Sequence, residues 1–441
     1  MATTQTAQRK VIIIGGGFAG LECARKLAND QRFQVTLLDR TNHHLFQPLL
    51  YQVATASLAG PDIARSIRQI LENARNVTVL MDEVTSISPS EKTITATSGQ
   101  TYGFDYLVLA AGAKTGYFGN DQWEQYSLGL KSLADAQAIR RKILSNLERA
   151  EITDDPAERE RLMTIAIVGG GPTGVELAGA CADLIHRSLK SNFRRIDTGK
   201  LRVILIENSP KILEHYDSGQ SDYAKKRLQS LGVEVRNNVR VINVLPGRLL
   251  FNDETHLEAE AIVWAAGIAA NPLTKDLGVE TDRAGRITPN LDLSIPGNPD
   301  IFVAGDLTNM RDREEKFVPG VAPAAVQMGD HIAALLKEEL RLEKTRFASR
   351  KHELRPLFKY TDKGMMAIIG KNHAVLKAGK LKLNGFLAWA AWLLIHILFL
   401  IGFRNKLSVL LGWAFAYLRN NPDARIIVNP PQTFPTQQSV R

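Results

Sequence analysis

Cysteine is scarce. Two occur in 441 residues, Cys23 and Cys181, 158 positions apart and in no CxxC pair. That excludes a disulfide scaffold, a four-cysteine zinc site, an iron–sulfur cluster held by cysteines and a dithiol redox centre. The start of the chain, MATTQTAQRKVIIIGGG, has an apolar run of four residues that leads into glycines, which is not the pattern of a secretory leader. An intracellular globular protein with reduced thiols is the expectation. Acidic residues are missing from the whole stretch between Asp362 and Asp423. The bulk composition, 44% hydrophobic and 23% charged, is ordinary for a packed protein, and at roughly 150 residues per domain the length suggests about three folding units.

The acid-free stretch carries Lys363, Lys371, Lys377, Lys380, Lys382, Arg404, Lys406 and Arg419, a concentrated share of the net charge of +9. It also holds the most apolar run in the chain, Phe386 to Phe403 (FLAWAAWLLIHILFLIGF), 18 residues without a formal charge. That is the lower edge of what spans a bilayer. A second run, Leu407 to Leu418, has twelve residues and is too short to return. The pattern predicts a helical hairpin lying in the membrane interface. Trp389, Trp392, Trp413 and Tyr417 suit headgroup depth, and the basic residues suit anionic lipid at about 1 kcal/mol each. The alternatives are a buried dimerisation pair of helices and a single span. Nucleic-acid binding is a poor account of the charge, because the basic residues are interleaved with aliphatic rather than base-stacking side chains.

Val11-Ile12-Ile13-Ile14 reads as a buried parallel strand. Gly15, Gly17 and Gly20 follow in the spacing G-x-G-x-x-G, Leu21 to Asn29 reads as a helix, and Gln34 to Asp39 as a second strand ending in an acid 22 residues after Gly17. Strand, loop, helix, strand and acid make the full dinucleotide-binding context: glycines for the tight turn and the close approach, a helix N-terminus for the pyrophosphate, and Asp39 for the adenosine ribose.

The same order recurs. Ile165 to Val168 leads into Gly169, Gly171 and Gly174, then a helix over 175–188, then a strand over 201–206 ending at Glu207. The step from Gly171 to Glu207 is 36 residues, lengthened by a basic insertion around 187–200. Two dinucleotide folds imply two dinucleotides, and the commonest pair is a flavin and a nicotinamide. Glu207 repels a 2′-phosphate, which favours NADH over NADPH. Glu176 lies seven residues after Gly169 and Glu22 seven after Gly15. Either could be an ordinary acid at a helix N-terminus, favoured by the helix dipole. Further strand–glycine signals end at Ala111-Gly112, at Ala266-Gly267 and at Ala304-Gly305-Asp306. The last returns the chain to the flavin, where Asp306 would bond the ribityl hydroxyls and the next helix would aim its N-terminus at the ring.

The arrangement resembles the two-dinucleotide-binding-domain flavoproteins of the pyridine nucleotide-disulfide oxidoreductase type. Within them it resembles the type II NADH:quinone oxidoreductases, non-pumping respiratory enzymes. The markers are His44 to Thr55 (HLFQPLLYQVAT), Gly169 to Glu176 (GGGPTGVE), Ala304-Gly305-Asp306, and Val321 to Gly329 (VAPAAVQMG). The family's A-Q-x-A-x-Q-x-G signature is met by Ala322, Ala325, Gln327 and Gly329, with Pro323 in place of the first glutamine.

The resemblance implies an α/β fold of two Rossmann-like domains, one for FAD and one for NADH, with a C-terminal membrane-associating helical region. The boundaries read from the sequence are 1–150 and 276–335 for FAD, 151–275 for NADH, and 336–441 for the C-terminal region, its hairpin at 384–418. One non-covalent FAD is expected on Gly15, Gly17, Gly20, Asp39, Ala111, Gly112, Asp306 and Ala325. NADH, as substrate, is expected on Gly169, Gly171, Gly174, Glu176, Glu207, Ala266 and Gly267. Glu176 and Gln327 are the candidate catalytic residues, Glu176 as proton relay and Gln327 as donor to a quinone carbonyl. Leu49, Tyr51, Gln327 and Lys380 are the candidate quinone contacts. No metal and no nucleic acid are expected. The implied partners are a membrane quinone, the lipid surface at the cytoplasmic face of the plasma membrane, and a second copy of the chain.

The implied reaction is NADH + H+ + quinone to NAD+ + quinol, without proton pumping, since there is no set of spanning helices and no buried charge chain. Three alternatives remain: a demethylphylloquinone or NADPH-type quinone reductase, a sulfide:quinone oxidoreductase, and a non-enzymatic flavoprotein scaffold.

Overall fold

The computed structural model describes residues 8–185, 192–419 and 426–427. Contacts divide the chain into two units, each assembled from three segments: 1–45, 64–116 and 268–363 in the first, and 46–63, 117–267 and 364–441 in the second.

The first unit is built on a six-stranded sheet in the order Ser294–Ile295, Asn298–Val303, Tyr106–Leu109, Arg9–Ile14, Phe33–Asp39, Val77–Met81. All neighbours are parallel except the first pair. The central strand places Ile12 opposite Thr36, and Ile13 opposite Leu37 and Val108. Ile13, Leu37, Val108 and Phe302 have no exposed surface, so these continuous apolar runs are the core of a sheet covered on both faces. Helix Phe18–Leu27 packs on helix Ala322–Leu342, so closely that a side chain at Gly329 would strike the carbonyl of Ala19.

The second unit has a parallel four-stranded sheet, Val233–Arg236, Arg202–Ile206, Thr164–Val168, Ala261–Trp264. Helix Leu133–Ile152 packs on its edge strand Ala261–Trp264. This is why contacts assign 117–150 to the second unit, whereas the sequence reading cut at 150. Likewise helix Ala322–Leu342 continues past the expected cut at 335, and the first unit runs on to 363.

A three-stranded antiparallel sheet, Met365–Ile368, Ala374–Ala378, Leu381–Gly385, precedes the hairpin. The 18-residue apolar run is not one helix. Helix Phe386–Phe399 stops where Leu400 turns extended and Gly402 takes φ +94°, and helix Phe403–Arg419 follows. Fourteen residues rise about 21 Å, short of a hydrocarbon core of about 30 Å. Among the described residues no helix is long and apolar enough to cross a membrane.

The tryptophans correct the headgroup expectation. Trp389, Trp392 and Trp413 are buried, and the surface of the hairpin is presented instead by Leu387, Leu394, Leu398, Phe399, Phe403 and Leu411. The side chain of Tyr417 lies outside the described residues, as do 186–191, which hold the end of the helix expected over 175–188 and part of the basic insertion. The described helix is Pro172–Asp183.

Candidate active site: two glycine cradles and an uncompensated glutamate

Both glycine loops follow one plan. In the first, Gly15 has φ +102°, a left-handed conformation that a side chain resists, and a Cβ there would also collide with the carbonyl of Ala110. Gly20, in the first turn of helix Phe18–Leu27, would collide with the carbonyl of Gly15. A Cβ at Gly17 would meet nothing, so this is the open side from which a phosphate can reach the backbone amides at the helix N-terminus. Asp39 braces the loop: its Oδ2 accepts from the Gly16 amide at 2.6 Å and its Oδ1 from the Thr41 amide at 2.7 Å. It lines a cavity of about 470 Å³ with Gly15, Ala111, Gly112, Lys114 and Asn271. Asp306 is partly exposed after strand Asn298–Val303, and Gly305 beside it, at φ +74°, brings a Cβ position within 3.6 Å of Ala325. The residues expected to hold FAD thus lie in one unit, on a cradle left open at its glycines and shaped for a dinucleotide.

The second loop repeats the geometry in the second unit. Gly169 has φ +112° and Gly174 sits against its carbonyl, while the Cβ position of Gly171 is open. Glu207 replaces Asp39: its Oε2 accepts from the Gly170 amide at 2.6 Å and its Oε1 from the Ser209 amide at 2.7 Å. Ala266 and Gly267, the latter at φ +75°, close the adjoining strand.

The paired glutamates differ. Glu22 bonds Arg25 at 3.1 Å, with Lys26 at 3.9 Å, and is an ordinary paired helix acid. Among the described residues Glu176 has no such cation. Its Oε1 accepts from the Ile368 amide at 3.3 Å. Burial of the carboxyl pushes it up to about 8, against the pull of that amide and of the Trp392 indole towards the charged form.

Leu49 and Tyr51 are buried in the second unit, Tyr51 tilted against Trp392 with centroids 6.5 Å apart. Tyr51 Oη accepts from Gln52 Nε2 at 2.8 Å, and Gln52 Oε1 accepts from Trp413 Nε1 at 2.7 Å. Lys380 is exposed at the turn between strands Ala374–Ala378 and Leu381–Gly385. Gln327 has an engaged amide. Its Nε2 donates to Thr361 O at 3.0 Å and Pro323 O at 3.1 Å, and its Oε1 accepts from the Thr361 amide at 2.9 Å. Pro323, the departure from the family signature, occupies the first turn of helix Ala322–Leu342, where a missing amide costs nothing.

Two features escaped the sequence. His44, which opens one of the marker stretches, is buried. Its Nδ1 lies 3.0 Å from Gly16 O and its ring stands edge-on to Phe18. The strand Met365–Ile368, which supplies the amide to Glu176, is the other; the alternation in AVLKAGKLKL marks only the hairpin of strands that follows it.

Residues 9–329 match the family model described as pyridine nucleotide-disulphide oxidoreductase. Two relatives from Mycobacterium tuberculosis are type II NADH:quinone oxidoreductases. Ndh is 41% identical over 428 residues, covering 94% of this chain and 90% of the relative. NdhA is 39% identical over 423 residues, covering 93% and 87%. The chain belongs to the type II NADH:quinone oxidoreductase family. The fold agrees with that of NDH2 from Plasmodium falciparum, solved in complex with NADH: TM-score 0.84 at 21% identity, covering 96% of this chain and all of that one. In this type II NADH:quinone oxidoreductase the sulfide alternative has no thiol to carry it. Cys23 and Cys181 are buried, and burial pushes each thiol up to about 12.

Proposed function

We propose that the chain oxidises NADH and reduces a quinone through FAD. The observation that carries the reading is the pair of glycine cradles of equal geometry, each closed by its own acid, in a chain that is 41% identical to a type II NADH:quinone oxidoreductase over nearly its whole length. Bound FAD supplies the chemistry, taking a hydride from NADH and passing two electrons to the quinone.

The protein's part is to hold and orient. The amides at Gly15–Gly17 and the N-terminus of helix Phe18–Leu27 would hold the FAD pyrophosphate, Asp39 the adenosine ribose and Asp306 the ribityl chain. The loop Gly169–Gly174 receives NADH, and Glu207 sets a negative charge where a 2′-phosphate would sit. This makes the first unit the FAD domain and the second the NADH domain, with the C-terminal region carried on the second. The quinol gains two hydrogens: one arrives with the hydride taken from NADH, and Glu176, protonated at neutral pH, supplies the other and regains a proton from water. Leu49, Tyr51 and Lys380, all in the second unit, are the quinone contacts this reading keeps; Gln327 in the first unit has both amide hydrogens engaged by Pro323 and Thr361.

The hairpin's exposed leucines and phenylalanines, with Phe403 82% exposed, support docking on the lipid surface of the cytoplasmic face, beside the cations Arg404 and Lys406. A homodimer rests on the family alone and is tested by sedimentation in detergent. The assay for the whole reading is NADH with a soluble quinone, followed by the loss of NADH absorbance. Turnover supports it; yellow protein without turnover favours the scaffold reading. Deleting residues 384–441 should abolish flotation with anionic vesicles, and unchanged flotation would remove the hairpin from the membrane role.

A further inference from the structure

Among the described residues, two buried donors near the Glu176 carboxyl meet no acceptor at ordinary hydrogen-bond distance and angle. Trp392 is fully buried, and its indole N–H acts on the Glu176 carboxyl without reaching ordinary hydrogen-bond geometry; the hydroxyl of Tyr216, 3% exposed, reaches none either. Both groups interact with the Glu176 carboxyl, the indole N–H favouring its charged form. Unpartnered buried donors are rare in folded proteins and ask for an explanation.

Neither side chain is loose. The Trp392 ring stacks on His396 with centroids 3.9 Å apart and planes at 23°, and it is tilted against Tyr51 and against Trp413 at 5.7 Å. The Tyr216 amide donates to Leu213 O at 2.8 Å and the Leu213 amide to Gly170 O at 2.8 Å, so this tyrosine is tied to the glycine loop of the second cradle.

We propose that Trp392 and Tyr216 are positioning residues for Glu176, whose Nε1–H and O–H are held ready for the carboxylate left when its proton has gone. The inference rests on the reading of Glu176 as proton source. A desolvated carboxylate needs donors, and the Ile368 amide alone, at 3.3 Å, is a long bond. The two waiting donors stabilise the charged state once it forms and thereby fix the pH range in which Glu176 gives up its proton.

Of the other titratable groups on the elements packed around helix Pro172–Asp183, Asp222 and Lys226 are exposed and Lys225 is half-buried on helix Ser218–Ser230, and the following have partners or are held neutral. His396 on the hairpin helix is held neutral by burial, down to about 4. Asp217 is taken by Lys382 at 2.8 Å and Lys377 at 3.7 Å. Tyr223 pairs with His373, Tyr51 accepts from Gln52, and Asp183, about two turns along the same helix, accepts from the Lys371 amide at 2.8 Å.

The test uses the full-length flavoenzyme with Trp392→Phe, which keeps an aromatic ring in the stack and removes the N–H, and with Tyr216→Phe, which removes only the hydroxyl. The titration of Glu176 is followed by difference infrared spectroscopy of the carboxyl stretch that Glu176→Gln abolishes, and by the pH profile of quinone reduction. A donor to the carboxylate lowers its pKa, so each variant should raise the midpoint, by about half a unit to one unit, with flavin content unchanged. Midpoints that stay put in both variants, while Glu176→Gln still removes the band and the pH-dependent limb, overturn the proposal and leave its parent reading standing. If Glu176→Gln removes neither, the parent reading falls and the proposal with it. Should Trp392→Phe fail to accumulate as yellow protein, the Tyr216→Phe midpoint alone decides.

Discussion

The two glycine cradles follow one plan, and the surroundings of one glutamate set them apart. Each has a left-handed first glycine, a third glycine pressed on the first, and an acid from the next strand bonded to the middle amide at 2.6 Å. Each is followed, seven residues after its first glycine, by a glutamate. In the first, Glu22 is neutralised by Arg25 and Lys26. In the second, Glu176 faces no cation among the described residues and is pushed up to about 8. In the proposed reading the repeated scaffold binds, and the departure from the repeat is where proton chemistry is placed.

The largest effect expected from breaking this comparison comes from the glycines. Gly20→Ala and Gly174→Ala make the same backbone collision, each costing about 1–3 kcal/mol or more. They should lose different partners. Gly20→Ala should purify with little or no flavin by visible absorbance, whereas Gly174→Ala should stay yellow and show a raised KM for NADH. If both lost flavin alike, the division of labour between the cradles would be wrong.

Next come the glutamates. Glu176→Gln should slow quinone reduction by on the order of 10², with FAD retained. Glu22→Gln should leave the rate unchanged and cost under about 1 kcal/mol in denaturant unfolding. Equal effects would erase the distinction.

The pH dependence sharpens it. Glu176 works as an acid while protonated, so quinone reduction should decline as pH rises through about 8. For stability the sign follows from linkage. The folded state holds a proton that the unfolded state releases near 4.5, so stability should fall with rising pH between 4.5 and about 8. Glu176→Gln should remove that slope, measurable by denaturant melts across the range.

The smallest effect expected is at Glu207. Glu207→Gln should improve NADPH use relative to NADH about tenfold, as removal of one like charge from the 2′-phosphate position. An unchanged ratio of kcat/KM values would mean that the acid serves only to brace the loop.

The cradles were legible in the sequence because their determinants are local: a run of β-branched residues, glycines at fixed spacing, an acid at the end of the next strand. Asp39 and Glu207 were found this way, although their bonds to the middle amides were not. The C-terminal region was read less well. Its apolar run looked continuous, but Gly402 breaks the helix. Its tryptophans looked suited to a lipid interface, but they are buried by partners remote in the chain; Trp413 bonds Gln52, 361 positions away. His44 was passed over for the same reason, since its bond to Gly16 depends on the tertiary fold.

The most direct measurement is an anaerobic titration of the purified protein with NADH, recorded in the visible region and followed by addition of a soluble quinone. The account predicts a yellow protein that bleaches with about one equivalent of NADH and regains its colour with quinone. A protein that is colourless even after refolding with FAD, or yellow protein that NADH does not bleach, would contradict it.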